Sequence, residues 1–161
     1  MRKLWLIGCS VLLLASLSLA QDKLESKWNC GKASDEHSID VGDKAGHVYG
    51  VSKATCTATK SEIGGTKEKE GIGTQFNETT GNMTTWHGVF VTTAESGDKI
   101  HYHYTGKGMM KDGKFTSRTN KWTMMGGTGK FAKAKGEGTC AGKGDGADGA
   151  TWECTGTYTM K

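Results

Sequence analysis

The chain of 161 residues contains no proline, and after its first twenty residues it has only one leucine, Leu24. Proline is one of the residues with which proteins protect exposed strand edges, so its absence fits a sheet that is closed on itself. Leucine favours helices, whereas the abundant threonines and the aromatic residues suit strands. The 25 glycines provide turns and close backbone approaches. This composition predicts β structure.

Clustered charge is also missing. The formal net charge of the whole chain is +4, and it falls to +2 without Arg2 and Lys3. The lysines are scattered along the sequence, whereas nucleic-acid-binding modules usually carry a basic stripe or a recognisable RNA-binding signature. We therefore expect no nucleic-acid partner.

Residues 1–20 have the pattern of a bacterial-type signal peptide, with a basic start, an apolar stretch, and small residues at Ser18 and Ala20. The apolar stretch is too short for a membrane span, which needs about 20 residues. A lipoprotein signal at Cys9 is disfavoured because few residues precede it. We predict cleavage after Ala20, a single domain over residues 21–161 without an integral membrane span, and a secreted or periplasmic location.

Four cysteines follow the predicted cleavage site: Cys30, Cys56, Cys140 and Cys154. An even number of cysteines in an exported domain predicts two disulfides, and the lack of a CxxC spacing argues against a metal site. Ala147 lies midway between Cys140 and Cys154 in a glycine-rich turn, so a hairpin folded there places these two cysteines opposite each other. Cys30 and Cys56 then pair by elimination.

Alternating apolar and polar residues predict the strands. In the predicted hairpin of Trp86–Glu95 and Lys99–Thr105, Tyr102 shares a face with Ile100 and Tyr104, because side chains alternate along a strand. Counting weaker segments, we predict about eight strands that form a small closed antiparallel β-barrel with disulfides. A barrel of this size has an interior that side chains fill or that holds one small ligand.

Aromatic side chains on the apolar faces of these strands would line or fill the interior. Most such residues belong to a packed core, but small barrels also keep apolar cavities that bind ligands. The candidate cavity residues are Trp86, Tyr102, Tyr104, Trp122, Trp152 and Tyr158.

The segment Gly126-Gly127-Thr128-Gly129-Lys130-Phe131-Ala132-Lys133-Ala134-Lys135-Gly136-Glu137-Gly138 resembles the "GGTGxFxxAxG" segment of allene oxide cyclase-like and dirigent-like barrels. The resemblance covers roughly the last third of the chain. It implies a strand that ends in a glycine turn, one helical turn, and a further strand. Phe131 and Ala134, three residues apart, would then plug one end of the barrel.

Known cofactor and catalytic motifs do not occur. The same glycines fit neither a phosphate-binding P-loop, because Phe131 follows Lys130, nor a dinucleotide fingerprint. No GxSxG motif is present. His101 and His103 form an H-x-H pair, but we place His87 opposite Lys107, too far away to complete a metal site. We therefore predict no cofactor, no metal and no catalytic residue.

Three functions remain open. We favour a non-catalytic, exported binding protein for a small apolar ligand or a surface partner. The resemblance implies, as an alternative, an isomerase or cyclase that acts on a hydrophobic substrate in the barrel cavity. A structural envelope protein with a filled barrel is the third hypothesis. The observation that would narrow these hypotheses most is whether a ligand-sized cavity is present and a buried carboxylate or Asn faces it. A packed interior would exclude both ligand hypotheses.

Overall fold

The structure, a computed structural model, describes residues 21–144 and 149–160. The predicted signal peptide and the predicted turn centre at Ala147 lie outside the described residues. The described residues form ten strands and one short 3-10 helix, Gly129–Phe131. The strands are β1 (Asp22–Cys30), β2 (Ser34–Asp40), β3 (His47–Lys60), β4 (Glu62–Ile63), β5 (Thr66–Thr80), β6 (Met83–Ala94), β7 (Lys99–Lys111), β8 (Lys114–Gly127), β9 (Lys135–Lys143) and β10 (Ala150–Thr159).

Eight of these strands close into the antiparallel barrel that the sequence predicts. The order around the barrel is β1-β10-β9-β8-β7-β6-β5-β3, and β3 returns to β1. Every residue of β1 pairs with β10 in an antiparallel register from Asp22–Tyr158 to Cys30–Ala150. The first and last strands therefore meet, and the sheet has no free edge along that junction.

Strand β2 lies outside the closed barrel. It pairs with β3 from Asp40–Val48 to Ser34–Lys53, beyond the point where β1 leaves β3 at Cys56. All seven residues of β2 are exposed. Because β2 follows β1 along the same edge of β3, it extends one end of the barrel. The two-residue β4 pairs only with β5, so the other eight strands close the barrel.

The opposite end is closed by packed apolar side chains, and we call it the base. Its central residues have no exposed surface: Ile63, Ile100, Met124, Phe131 and Ala134. The glycine-rich segment takes the predicted course, since β8 ends at Gly127, one turn of 3-10 helix follows, and β9 begins at Lys135. The prediction that Phe131 and Ala134 plug one end of the barrel is confirmed.

Glycines on the inner wall make room for aromatic rings. Gly138 on β9 pairs with both Trp122 on β8 and Gly156 on β10. A Cβ atom at Gly138 would overlap the Trp122 ring and the carbonyl oxygen of Thr155. The ring therefore lies flat against the backbone, which lets a large side chain cover the wall while part of the interior stays empty.

The disulfides are those that the sequence predicts, Cys30–Cys56 and Cys140–Cys154. The register of the last hairpin also agrees, because Cys140 pairs with Cys154 and Gly142 pairs with Trp152. Both disulfides pack with Trp28 on the inner side of the wall. They link β1 to β3 and β9 to β10, and such crosslinks are typical of proteins in oxidising compartments.

Candidate functional site

A cavity of about 520 Å³ lies inside the barrel, above the base. It reaches the opposite end, which we call the mouth, where Ala33, His37, Met110, Phe115 and Arg118 line it. This volume is within the range of small-molecule sites. Eight aromatic side chains line the cavity: Trp28, Trp86, Phe90, Tyr102, Tyr104, Phe115, Trp122 and Trp152.

The structure brings five of the six sequence-predicted cavity residues together. Trp86, Tyr102 and Trp122 are buried in the wall, and Tyr104 and Trp152 are partly buried there. Tyr158 is placed differently. It faces inward but packs in the base, where its hydroxyl oxygen accepts a hydrogen bond of 3.0 Å from the backbone N–H of Gly64. Alternation predicts the face of Tyr158 correctly but not its height in the barrel.

A buried carboxylate, Glu68, lies at the lower end of the cavity with only 5% of its surface exposed. Three hydroxyl groups donate hydrogen bonds to it. Ser61 Oγ donates to Oε2 over 2.5 Å, Tyr102 Oη donates to Oε1 over 3.2 Å, and Thr92 Oγ1 also donates to Oε1. These donors come from the β3–β4 junction, β7 and β6, so three separate segments fix the carboxyl group.

Burial dominates the ionisation of this group. Loss of solvation raises the pKa of Glu68 above its ordinary value, and the three hydroxyl donors lower it by a smaller amount. Burial and the nearby Glu68 carboxylate raise the pKa of Tyr102 well above its ordinary value. Tyr102 therefore remains a neutral phenol, while Glu68 can exchange a proton closer to neutral pH than an exposed glutamate.

Amide and hydroxyl groups form a connected row on one wall above Glu68. Tyr104 Oη donates to Gln75 Oε1 over 2.9 Å, Gln75 Nε2 donates to Asn77 Oδ1 over 2.6 Å, and Asn77 Nδ2 donates to Ser52 Oγ over 3.2 Å. All four residues line the cavity. Fixed polar groups of this kind orient a ligand in an otherwise apolar pocket.

Two tryptophan N–H groups in the wall differ in their partners. Trp86 Nε1 donates to Asn120 Oδ1 over 2.6 Å. Trp122 Nε1 is buried and has no hydrogen-bond partner among the described residues. Buried N–H groups are rarely left unpaired, so this nitrogen is an exception in the wall, but almost none of its surface is accessible from the cavity.

The histidines of the β6–β7 hairpin lie on the outer face of the barrel. His101 and His103 are exposed and lie on the opposite face of β7 from Tyr102. His87 pairs with Thr105, so its predicted register opposite Lys107 was wrong by two residues. In the part of the chain that the structure describes, no group of three His, Cys, Asp or Glu side chains has the arrangement of a metal site.

The loop beside the mouth is held by His47 at the start of β3. Its Nδ1 lies 2.6 Å from Asp43 Oδ1 and its Nε2 lies 3.1 Å from Glu78 Oε1 on β5. The hydrogen bond to Asp43 is the main cause that raises the pKa of His47, and burial opposes it. Only the protonated ring can donate to both carboxylates, so this contact favours the charged form.

Sequence reasoning missed Glu68 and the amide row. Gly73, Gln75 and Asn77 line the cavity at every second position, and Gly71 faces the Phe90 ring on the same side. Continuing that period backwards would point Lys69 inward. A register shift between Glu68 and Glu70 adds one residue to the strand and turns Glu68 inward instead. Nothing in the local run of Lys and Glu residues marks this bulge.

No helix within residues 21–144 and 149–160 has the length and apolar character of a bilayer span. The chain matches no protein-family profile, and no curated protein matches its sequence.

Solved structures resemble the chain in fold. A conserved protein of unknown function from Rhodopseudomonas palustris superposes with a TM-score of 0.57 at 11% identity, covering 86% of this chain and 98% of its own. A protein of the DUF3224 family from Shewanella oneidensis has a TM-score of 0.51 at 14% identity, with coverages of 88% and 98%. The pterocarpan synthase dirigent protein GePTS1 has a TM-score of 0.50 at 10% identity, with coverages of 98% and 99%.

At these identities the likeness is one of architecture. It supports a dirigent-like β-barrel fold. This agrees with the dirigent-like part of the sequence resemblance, while the allene oxide cyclase-like part stays a prediction. The residues inside the barrel must be judged on their own geometry.

Proposed function

We propose that this protein binds a small, largely apolar molecule inside the barrel and acts after export, in an oxidising compartment. The observation that carries the proposal is the cavity of about 520 Å³, whose wall contains eight aromatic side chains. A few fixed polar groups, including Glu68 and Asn77, interrupt this apolar surface. Apolar walls supply affinity and such polar groups supply orientation. The two disulfides support the compartment, while cleavage after Ala20 remains a prediction.

Tryptophan fluorescence provides a direct test, because all four tryptophans of the described residues line the cavity. The probe is the neutral hydrocarbon diphenylhexatriene, which accepts energy from excited tryptophan. Titration of the protein with this probe is expected to quench tryptophan emission and to sensitise probe emission, with saturation at one molecule per barrel. A linear, non-saturating response would contradict a defined cavity site.

A matched pair of variants separates the interior from the surface. Ala54 lines the cavity, and its neighbour Thr55 is exposed on the outer face of the same strand. Ala54→Phe should fill part of the cavity and weaken binding of diphenylhexatriene at least about tenfold, which corresponds to about 1.4 kcal/mol. Thr55→Phe should leave the affinity unchanged. Equal affinities in the two variants would place the probe outside the barrel.

An isomerase or cyclase that works in the same cavity is the second candidate. The observation in its favour is the contact between Glu68, whose pKa burial raises, and the phenol of Tyr102. A carboxyl group with a raised pKa is a suitable proton donor or acceptor. Chemical conversion of the bound molecule, with loss of turnover in Glu68→Gln and Tyr102→Phe, would favour catalysis over binding alone.

The hypothesis of a structural protein with a filled barrel does not fit the interior. Side chains pack the base around Phe131 and Met124, but the cavity lined by Trp86, Tyr104 and Asn120 stays open. Well-packed cores leave few voids larger than a water molecule. An empty volume of this size therefore supports the binding hypothesis over a filled structural barrel.

A further inference from the structure

Glu68 is an acid without a basic partner. Among the described residues no Lys, Arg or His forms an ion pair with it. Lys60 on β3 pairs instead with Glu25 on the outer surface, at 2.7 Å. Buried charges in proteins are normally paired. The barrel therefore holds an acidic group that forms no ion pair among the described residues.

The hydrogen bonds of Glu68 leave room for such a counterpart. An ionised carboxylate has about four acceptor positions. Oε1 receives hydrogen bonds from Thr92 and Tyr102, whereas Oε2 receives one, from Ser61. All three side chains present hydroxyl groups, which add no charge. One acceptor position on Oε2, the oxygen bonded to Ser61, has no donor among the described residues.

Aromatic rings surround the space above the carboxylate. Tyr102 touches both Glu68 and the next ring, since its ring lies edge-to-face with Trp122 at a centroid distance of 5.8 Å. Phe90 lies 6.2 Å from Tyr102 and packs edge-on against Trp28 at 5.0 Å. The negative faces of aromatic rings attract organic cations, most strongly where water is excluded. An aromatic enclosure with one acid at its floor favours a positively charged guest.

We infer that the ligand of this cavity is an apolar amine, with an ammonium group that pairs with Glu68 and an apolar body that packs against the tryptophan and tyrosine rings. This inference rests on the proposed function, because it names the chemical class of the molecule bound in the same cavity. The apolar body accounts for the aromatic wall, and the ammonium group supplies the charge and the donor that Glu68 lacks. A neutral apolar ligand would leave the carboxylate without a counter-charge.

Two probes that differ in one functional group test the inference. Diphenylpropylamine carries an ammonium group at neutral pH, and diphenylpropanol carries a hydroxyl group in its place. Their dissociation constants are measured by isothermal titration calorimetry with the full mature protein. We expect the amine to bind about tenfold or more tightly than the alcohol, because an ion pair in a partly buried site outweighs a neutral hydrogen bond.

Glu68→Gln keeps the shape of the side chain and removes its charge, so the two probes should then bind with similar affinity. The alcohol serves as the internal check that the variant folds and keeps its cavity. Glu70→Gln is the matched control, because Glu70 is exposed two residues further along β5. It removes the same charge outside the barrel and should keep the preference for the amine.

The outcomes separate this inference from the proposed function. Equal binding of amine and alcohol to the wild-type protein would overturn the amine inference and leave the cavity as a site for neutral ligands. An amine preference that survives in Glu68→Gln would overturn the role of Glu68. If neither probe binds, the amine inference fails, and the proposed function fails as well only if diphenylhexatriene also does not bind.

Discussion

At the scale of single residues, the main feature of the cavity is the hydrogen bonding and burial of Glu68. Its three donors are the hydroxyl groups of Ser61, Thr92 and Tyr102, which stabilise a carboxylate without neutralising it. Burial acts in the opposite direction and is the larger effect, since it raises the pKa of Glu68. Folding therefore makes ionisation of this group less favourable than it is in the unfolded chain, and the stability of the fold must depend on pH through it.

The sign of this dependence can be measured with Glu68→Gln. The ordinary pKa of the carboxyl group is 4.5, and the folded protein raises it. The stabilising contribution of Glu68 is complete below the ordinary pKa and is lost as pH rises through the folded-state pKa. Each unit between the two pKa values corresponds to about 1.4 kcal/mol. Urea unfolding from acidic to neutral pH should show the stability of the wild type falling relative to Glu68→Gln, then levelling off.

The exposed carboxylate Glu70 provides the comparison on the same strand. Wild type and Glu70→Gln are expected to follow the same course with pH, and His47 titrates alike in all three proteins. A constant difference between wild type and Glu68→Gln at every pH would show that the pKa of Glu68 is the same in the folded and unfolded states. That result would also remove the argument that Glu68 is strongly desolvated.

At the scale of elements, the hairpins were the most predictable part of the structure. Period-two alternation in β7 correctly separates Tyr102 and Tyr104 from His101 and His103, because one face of the strand is buried and the other is exposed. The last hairpin was predicted to the residue, since only one register opposes Cys140 to Cys154 and Gly142 to Trp152. Local sequence is sufficient to predict strand register where the turn and the disulfide indicate the same pairing.

Features that depend on the position along a strand were not predictable. Tyr158 faces inward as expected, but it lies near the end of β10 and therefore packs in the base. The bulge at Lys69 exchanges the inward and outward faces of β5 at this point. Alternation along the strand therefore does not predict that Glu68 faces inward. The height of a side chain in a barrel depends on the stagger between distant strands, and local sequence does not specify that stagger.

Glycines on the inner wall provide a prediction at this scale. A Cβ at Gly138 would meet the Thr155 carbonyl oxygen and the Trp122 ring, and neither can move freely in the paired strands. Gly73 also lines the cavity, but there the nearest atom, the Tyr104 hydroxyl oxygen, is 3.4 Å away. Gly138→Ala should lower the free energy of unfolding by at least about 2 kcal/mol through overpacking. Gly73→Ala should be neutral or raise it by about 0.5–1 kcal/mol.

Thermal and urea unfolding of the two variants distinguish these effects. Both substitutions add one methyl group to a strand glycine, so β-propensity alone would change the stability of both variants in the same direction. A similar stability for both would mean that the Trp122 ring is not held against the wall as described. It would also weaken the argument that glycines on the wall keep space for the cavity.

At the scale of the whole molecule, closure depends on β1. This strand pairs along its full length with β10 and, from Lys27 to Cys30, with β3. The pairing joins the first described strand to the last one, a contact between residues far apart in sequence, and such contacts form late because the intervening chain must first be ordered. The Cys30–Cys56 disulfide fixes the end of β1 that lies toward the mouth.

The two disulfides should therefore have different effects when they are removed. Cys30–Cys56 spans 26 residues and secures the junction of the barrel, whereas Cys140–Cys154 spans 14 residues and crosslinks adjacent strands of one hairpin. Each double Cys→Ala variant should lose about 3 kcal/mol of stability in the chain-entropy model, slightly more for the longer loop. Amide hydrogen exchange should separate them. Removal of Cys30–Cys56 should speed exchange in β1 and in its partners β3 and β10, whereas removal of Cys140–Cys154 should speed it mainly in β9 and β10. Faster exchange of β1 in the second variant than in the first would contradict the assignment of β1 as the junction that the Cys30–Cys56 disulfide holds closed.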